Sequence, residues 1–422
     1  MTYIKPFKAL CYNKDKINDF SKVVCPPYDV ISPEDQNYYH SLHPYNFIHI
    51  DLAQDKETDT KTENKYTRAQ KIYQEWIQNG ILVEDAKPTI YYYKQEYKIR
   101  GQKYSRMGFI ALMKLEEDGD SKIFPHENTH TQAKDDRFRL TSALKANLSP
   151  IFVCFSDKNK RVQKIFTQKI SVEKPAVDIV DQGGVRHVMW RLDNPDDIKD
   201  IQETLKDQQL FIADGHHRFE VAKEYRNQML KDHGKSNGQE AFNYVMTYFT
   251  NIDSSDLMIF PIHRIIKKLP ANIDFLEEPF RIDKIKTKED LLVILAKAGK
   301  NEHAFGLYTK DGIKLLRLKN RLLIDEVVKE GSKDYRHLDA TILKHFVFDR
   351  IGVKSEDIVY SKDLLEATAA VDEGRAEASF ILNAVKIQQL KAIALNGERM
   401  PPKTTYFYPK VLSGLTIHWM DH

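Results

Sequence analysis

The sequence predicts an α+β chain built on mixed sheets, and three observations carry that prediction. Short apolar runs, at 151–155 and 210–213, interleave irregularly with stretches of helical spacing. No ordered βαβ repeat follows, and neither G-x-G-x-x-G nor G-x-x-x-x-G-K-[ST] occurs. The 422 residues, 41% of them hydrophobic, suffice for two or three domains with sizeable cores.

The elements follow in order. The polar run 54–65 (QDKETDTKTENK) has no apolar periodicity and reads as an exposed loop. Tyr66, Ala69, Ile72, Tyr73, Trp76 and Ile77 then recur at helical spacing, and Gly80 can end that helix. Residues 89–93 and 104–115 are rich in β-formers and read as paired strands. A helix over 136–147 precedes the 151–155 strand, and the 210–213 strand runs straight into a helical pattern of Phe219, Ala222, Tyr225 and Met229. Strands are expected at 244–249, 257–262, 379–382 and 406–408, and helices at 288–298 and 338–350. Charge density rises and glycines thin out over 269–278, which marks a boundary. The expected organisation is a catalytic region over 1–268, a second α/β lobe over 269–395, and a C-terminal strand and basic motif over 396–422 returning to the site.

Charge and cysteines narrow the class. Lys and Arg number 64 against 61 Asp and Glu, a net charge of +3. That balance, with no helix-turn-helix segment, argues against a nucleic-acid-binding regulator. No stretch approaches the ~20 apolar residues of a membrane span, and the first residues lack a signal-peptide core. Cys11, Cys25 and Cys154 offer neither a disulfide framework nor zinc-ligand spacing. A cytoplasmic protein without membrane partners is the expectation; the oligomeric state is not legible.

Four segments carry candidate chemistry. In Phe211-Ile-Ala-Asp-Gly-His-His-Arg-Phe-Glu220 a strand ends, Gly215 permits a tight turn and a helix begins. A helix start offers unpaired N–H groups and a positive dipole end, which suits phosphate or carboxylate. His216, His217 and Arg218 add cations there, Arg being able to grip phosphate bidentately. Asp214 can hold a metal ion or orient a histidine; the plainer reading makes it an N-cap beside solvated histidines.

The second segment, Phe124-Pro-His-Glu-Asn-Thr-His130, matches the zincin pattern literally through His126, Glu127 and His130. Its poor helix formers oppose a zinc protease and favour a polar loop, with His126 as acid/base and Glu127 as base or ligand. Asp135, Asp136, Arg137 and Arg139 follow, as site members or as paired helix charges. In the third, Val24-Cys-Pro-Pro-Tyr-Asp-Val-Ile-Ser32, two prolines stiffen an approach that presents Tyr28 and Asp29. Cys25 has no evident base. The fourth, Met400-Pro-Pro-Lys-Thr-Thr-Tyr-Phe-Tyr-Pro-Lys410, supplies phosphate donors in Lys403, Thr404, Thr405 and Lys410. Pro261-Ile-His-Arg264 adds a further His–Arg pair, His263 and Arg264.

Together these segments resemble the "domain of unknown function 1015" family. The pieces that carry the resemblance are residues 26–32, 126–129 (including Thr129), 136–137, 213–218, 261–264 and 400–410, in order along nearly the whole chain. The family more often has Tyr and Thr where this chain has Phe219 and Val221, and Ser where it has Thr404. The Ala-Asp-Gly-His-His-Arg turn is also similar to that of the ParB-like superfamily, which includes free-serine kinases. The resemblance implies a ParB/serine-kinase-like core. It implies transfer of a phosphoryl group to free L-serine, giving O-phospho-L-serine, from pyrophosphate, ATP or ADP, with Mg²⁺.

On that reading His216, His217, Arg218, Lys403 and Lys410 hold phosphate oxygens, and Asp214 binds Mg²⁺ or orients a histidine. Glu127 or Glu220 takes the hydroxyl proton. Arg264 or Arg137 grips the substrate carboxylate, and Asp29 its ammonium group. His126, Thr129, His263, Thr404 and Thr405 complete the expected substrate-binding set. The competing readings are a small-molecule phosphatase using the same cations and a ParB-like nucleotide- or nucleic-acid-binding regulator.

Overall fold

The computed structural model describes residues 3–116, 121–269, 272–354 and 357–421. The chain is mixed α+β, and it divides into two compact units. The first comprises Met1–Pro125, Thr129–Leu257 and Pro409–His422; the second comprises His126–Asn128 and Met258–Tyr408. This division differs from the expected one. It falls at 257/258, the second unit keeps residues 396–408, and only the stretch from Pro409 onward belongs with the first. Pro270 and Ala271, inside the expected boundary stretch, lie outside the described residues.

The first unit is organised by a nine-stranded sheet. Its order is Ile123–Phe124, Leu210–Asp214, Ile151–Phe155, Tyr244–Asn251, Gln102–Lys114, Ile90–Ile99, Arg186–Leu192 and Val177–Val180, with Ile4–Lys5 pairing onto Gln102–Lys114. Two pairings are parallel, Leu210–Asp214 with Ile123–Phe124 and Tyr244–Asn251 with Ile151–Phe155; the rest are antiparallel. The expected strand pair around 89–115 is a longer hairpin. It turns at Arg100-Gly101, where both residues have positive φ, as two-residue hairpin turns require.

One core of this unit gathers Phe109, Phe155, Phe166, Ile201 and Phe249 between the sheet and the helices Arg161–Ile170 and Pro195–Leu205. A second core holds the helix Lys65–Gln78, whose Ala69, Tyr73 and Trp76 are buried as the helical spacing requires. Asn64 caps that helix reciprocally with Thr67, so the polar run stops where the sequence pattern changes.

The second unit carries a six-stranded antiparallel sheet in the order Phe280–Ile285, Gly312–Leu318, Ala304–Thr309, Ala378–Ile381, His263–Ile266 and Ile358–Ser361. Leu291, Leu295, Ala367 and Val371 fill a core with Ile265, Leu315 and Ile381, while Ile342 and Phe346 fill another with Ile266, Phe305 and Leu316. Successive strand residues thus face opposite cores. The expected 257–262 strand is two strands, Met258–Phe260 and His263–Ile266, because Pro261 has no N–H to give a ladder. The expected helix 338–350 is an α-turn at Asp339–Leu343, a π-turn at Lys344–Phe348 and a last turn at Asp349–Ile351. Among the described residues no helix is long and apolar enough to cross a membrane.

A buried charge sits at the middle of the first unit's hairpin. Arg106 and Gln95 face each other in register, both fully buried. Arg106 Nε donates to Gln95 Oε1 at 3.1 Å, its Nη2 donates to the Pro409 carbonyl, and the guanidinium lies 4.6 Å over the Phe152 ring. Gln95 Nε2 in turn donates to the Lys410 carbonyl at 2.7 Å. The pair therefore pins the backbone of the returning C-terminal segment. Gln95→Leu removes one acceptor of a buried cation and should destabilise the protein by about 3 kcal/mol in urea unfolding. An unchanged unfolding midpoint would contradict this reading of the pair.

Candidate active site

Asp214 ends its strand at a register shift next to Ile212, and Gly215 turns the chain with φ +84° into helix His216–His233. A Cβ on Gly215 would meet the Arg218 Cζ and Nε at 3.0 Å, so the turn needs glycine for its φ and for its space. Among the described residues no side chain caps this helix start.

Arg218, one turn into the helix, folds back over the turn. Its Nη2 donates to Asp214 Oδ2 at 2.7 Å and lies 3.6 Å from Asp29 Oδ2, and its Nη1 donates to the Pro150 carbonyl at 2.5 Å. Its Nε–H is buried and has no hydrogen-bond partner among the described residues. Lys410 Nζ donates to the other Asp214 oxygen. Burial works against an ionised Asp214, but Lys410 and Arg218 outweigh it and hold the carboxyl well below the usual carboxylate range. The third and fourth segments thus meet the Asp-Gly-His-His-Arg turn through Asp29 and Lys410.

Behind this cluster lies a buried network that sequence reasoning did not find. Asp51, 3% exposed, receives the Arg137 Nη1 on its carbonyl at 2.7 Å and on Oδ1 at 3.3 Å. Ser149 donates to Asp51 Oδ2 at 3.2 Å and hydrogen-bonds Ser413 at 2.6 Å. Burial pushes the Asp51 carboxyl up, opposed by Arg137 and Arg218. A cavity of about 40 Å³ touches Tyr28, Asp51, Arg137, Ser149 and Arg218. The tetrapeptide around Asp51 (Ile-His-Ile-Asp) carries no motif that would have marked it.

The remaining first-unit candidates take definite places. Arg137 gives its Nε and Nη2 to Asp136 and stacks over the Tyr28 ring at 4.2 Å, which makes it a packed ion-pair centre. Burial would raise Asp136, but Arg137, Tyr66 and Lys65 bring it down to about 2. Arg139 and Asp135 are exposed, and Thr129 is half-buried. His217 Nε2 accepts the His130 N–H at 2.9 Å. His216 is buried. Glu220 lines a groove with Lys134, Phe138 and Lys223 and makes no hydrogen bond or ion pair with Asp214, Arg218 or Lys410. Cys25 is buried and burial drives its thiol far above the ordinary range, which opposes a nucleophilic thiolate.

The other candidates form a second cluster, in the second unit. His126–Asn128 pairs with the Pro-Pro-Lys-Thr-Thr loop: the His126 carbonyl accepts the Met400 N–H at 2.7 Å, and Glu127 Oε1 accepts the Lys403 N–H at 3.1 Å. His126, 1% exposed, bonds Thr405 Oγ1 through Nε2 at 3.1 Å, and Thr404 Oγ1 donates to the Pro401 carbonyl. Lys403 sits at φ +53° with its side chain exposed. Arg264 is buried, donates to the Ile262 and Lys403 carbonyls, and is in no ion pair among the described residues. Burial lowers it to about 10. Residues 126–130 form no helix, so His126 and His130 do not sit one helical turn apart as a zincin needs.

Residues 4–341, well over half of the chain, match the family described as "Protein of unknown function (DUF1015)". The chain belongs to this family. No curated protein matches it. Among solved structures, a conserved hypothetical protein from Pyrococcus furiosus matches at 14% identity and a TM-score of 0.33, over 69% of this chain and 89% of that one. A free serine kinase mutant in complex with ADP matches at 16% identity and a TM-score of 0.35, over 68% of this chain and 84% of that one. SbnI with C-terminal truncation, from Staphylococcus aureus, matches at 11% identity and 0.36, over 72% and 85%.

His263 supplies a pH dependence that can be measured. It is 2% exposed, its Nδ1 accepts the Leu382 N–H at 3.3 Å, and burial with Arg264 beside it lowers it to about 4. The unfolded chain, with a histidine near ~6.5, takes up this proton first as pH falls. Stability should therefore be lost from pH ~6.5 down to ~4, by up to about 3 kcal/mol. His263→Gln should flatten that part of the stability–pH curve; an equal slope in the variant would contradict the assignment.

Proposed function

We propose that the protein is a phosphotransferase that phosphorylates free L-serine to O-phospho-L-serine, with pyrophosphate or a nucleotide (ATP or ADP) as donor. The observation that carries this reading is the Arg218 Nε–H. Among the described residues it is buried and unpartnered, on a guanidinium held beside Lys410 and Asp214 at a helix start that no side chain caps. A buried donor on a cation is costly unless an acceptor meets it, and an anionic oxygen is the acceptor that suits it best. The similarity of the Asp-Gly-His-His-Arg turn to that of free-serine kinases supplies the substrate class.

Phosphoryl transfer asks the protein for charge neutralisation and in-line positioning, with little covalent work. Arg218 and the first amides of helix His216–His233 take donor oxygens, and Lys410 offsets their charge. Asp214 is held too acidic to take a proton near neutral pH, so its part is to keep Lys410 and Arg218 in place. Asp29, on its stiff Pro-Pro approach, is the proposed acceptor for the substrate ammonium group.

The residues also fit Mg²⁺. Each carboxylate oxygen can accept more than one bond, so Asp214 keeps capacity beside its two cations, and Asp29 offers a second carboxylate against the same guanidinium. One or two carboxylates plus substrate phosphates are what Mg²⁺ commonly takes. When bound, it would neutralise charge on the donor phosphate.

Phosphorus NMR of the protein with Mg²⁺ and L-serine, with ATP, ADP or pyrophosphate in separate tubes, tests the reading. A phosphoserine signal in one tube is expected. Arg218→Gln should lower kcat/KM by about 10³-fold. Silence with all three donors overturns the proposal; phosphate release from added phosphoserine would then assign a phosphatase.

A further inference from the structure

The first unit holds another cavity, of about 220 Å³, where the strands Ile151–Phe155 and Tyr244–Asn251 finish side by side. Asp214 registers with Phe152, toward the start of the strand whose end the cavity meets. The cavity arises because the Ile90–Ile99/Gln102–Lys114 hairpin runs past the helix Arg161–Ile170, which covers this face with Val162 and Phe166. The turn that follows Asn251 makes one wall, tied to the hairpin by the Tyr97 hydroxyl donating to the Asp256 carbonyl at 2.6 Å.

The floor is aromatic. Tyr92 stacks on Phe166 with centroids 4.2 Å apart, and Phe109 stacks on Phe249 at 5.0 Å. Two hydroxyls on this lining point to a ligand. Tyr92 is 1% exposed, and both its hydroxyl and the Ser105 hydroxyl are buried with no hydrogen-bond partner among the described residues. A buried hydroxyl left unpaired costs about 1–3 kcal/mol, and here two fall on one cavity.

Other polar groups nearby are committed to the fold. Asp157 accepts the Arg161 and Val162 N–H groups, Asn251 accepts those of Asp157 and Asp253, and Thr250 donates to the Met107 carbonyl. The rim has three carboxylates, Asp157, Asp253 and Asp256, against Lys160, and Asp256 is in no ion pair among the described residues. Its charge repels anions, which sets the cavity apart from the phosphate-binding cluster at Arg218.

We propose that this cavity binds a small neutral or cationic aromatic compound of one or two fused rings, stacked on the aromatic floor and hydrogen-bonded to the Tyr92 and Ser105 hydroxyls. The size agrees: an apolar cavity of ~150 Å³ takes benzene. The site serves a second ligand, distinct from serine and from the phosphoryl donor.

Calorimetric titration of the full chain with tryptamine and with indole-3-acetate, two-ring probes of opposite charge, tests this. Tryptamine should bind with Kd below about 1 mM, and indole-3-acetate about tenfold more weakly. Ser105→Phe, which fills the cavity, should abolish tryptamine binding, and Asp256→Asn should narrow the preference between the probes. The proposal is overturned if neither probe binds wild type. It is equally overturned if the two bind alike and Asp256→Asn changes nothing, a comparison that stands even where Ser105→Phe fails to fold.

Discussion

The first unit is arranged around one ionised carboxylate held between two cations. Asp214 carries Arg218 on one oxygen and Lys410 on the other. None of the three groups tolerates this degree of burial alone; together they satisfy the rule that buried charge must be paired and hydrogen-bonded. The constraint reaches far along the chain, because Lys410 arrives from the C-terminal segment and must be held against a strand nearly two hundred residues earlier. Gln95 and Arg106 supply that hold by gripping the Lys410 and Pro409 carbonyls. The Gly215 turn and the position of Arg218 follow from the same arrangement.

The second unit shows the same economy with other residues. The Lys403–Thr405 loop is bound on one side by His126 and Glu127 and on the other by Arg264, so three of the chemistry-bearing segments are tied together by hydrogen bonds. The Glu127 carboxylate and the Thr404 and Thr405 hydroxyls hold the loop's shape. Arg264 and the exposed Lys403 side chain are the cations of this cluster that stand in no ion pair among the described residues.

Much of this was legible in the residues where local chemistry decides the outcome. The 151–155 strand, the strand and helix around Gly215, and the helix at 288–298 follow from apolar period, glycine and capping, and they stand where the pattern places them. Asp214 and Arg218 were marked by their place at a strand–helix turn, Asp29 by the stiff Pro-Pro approach and Lys410 as a phosphate-donor type in the C-terminal motif. The helices Arg161–Ile170 and Pro195–Leu205 and the strands between them went unread, although Asn194 followed by Pro195 is an N-cap signal. Asp51, Gln95, Arg106 and Ser413 were illegible for another reason. None belongs to a motif, and its partners are set by the folded chain and not by its neighbours in sequence. The division into units was likewise hidden, since His126–Asn128 joins the second unit through contacts with a loop near residue 400.

The central claim is that Asp214 is an ionised clamp. Titrating the side-chain carboxyl carbons of ¹³C-aspartate-labelled protein, with Asp214→Asn to assign the resonance, tests it most directly. The account predicts that the Asp214 signal stays that of a carboxylate as pH is lowered past ~3.9, the ordinary aspartate midpoint. It also predicts that Lys410→Gln moves its titration upward. A midpoint at or above ~3.9 in the wild type, unmoved by Lys410→Gln, would contradict it.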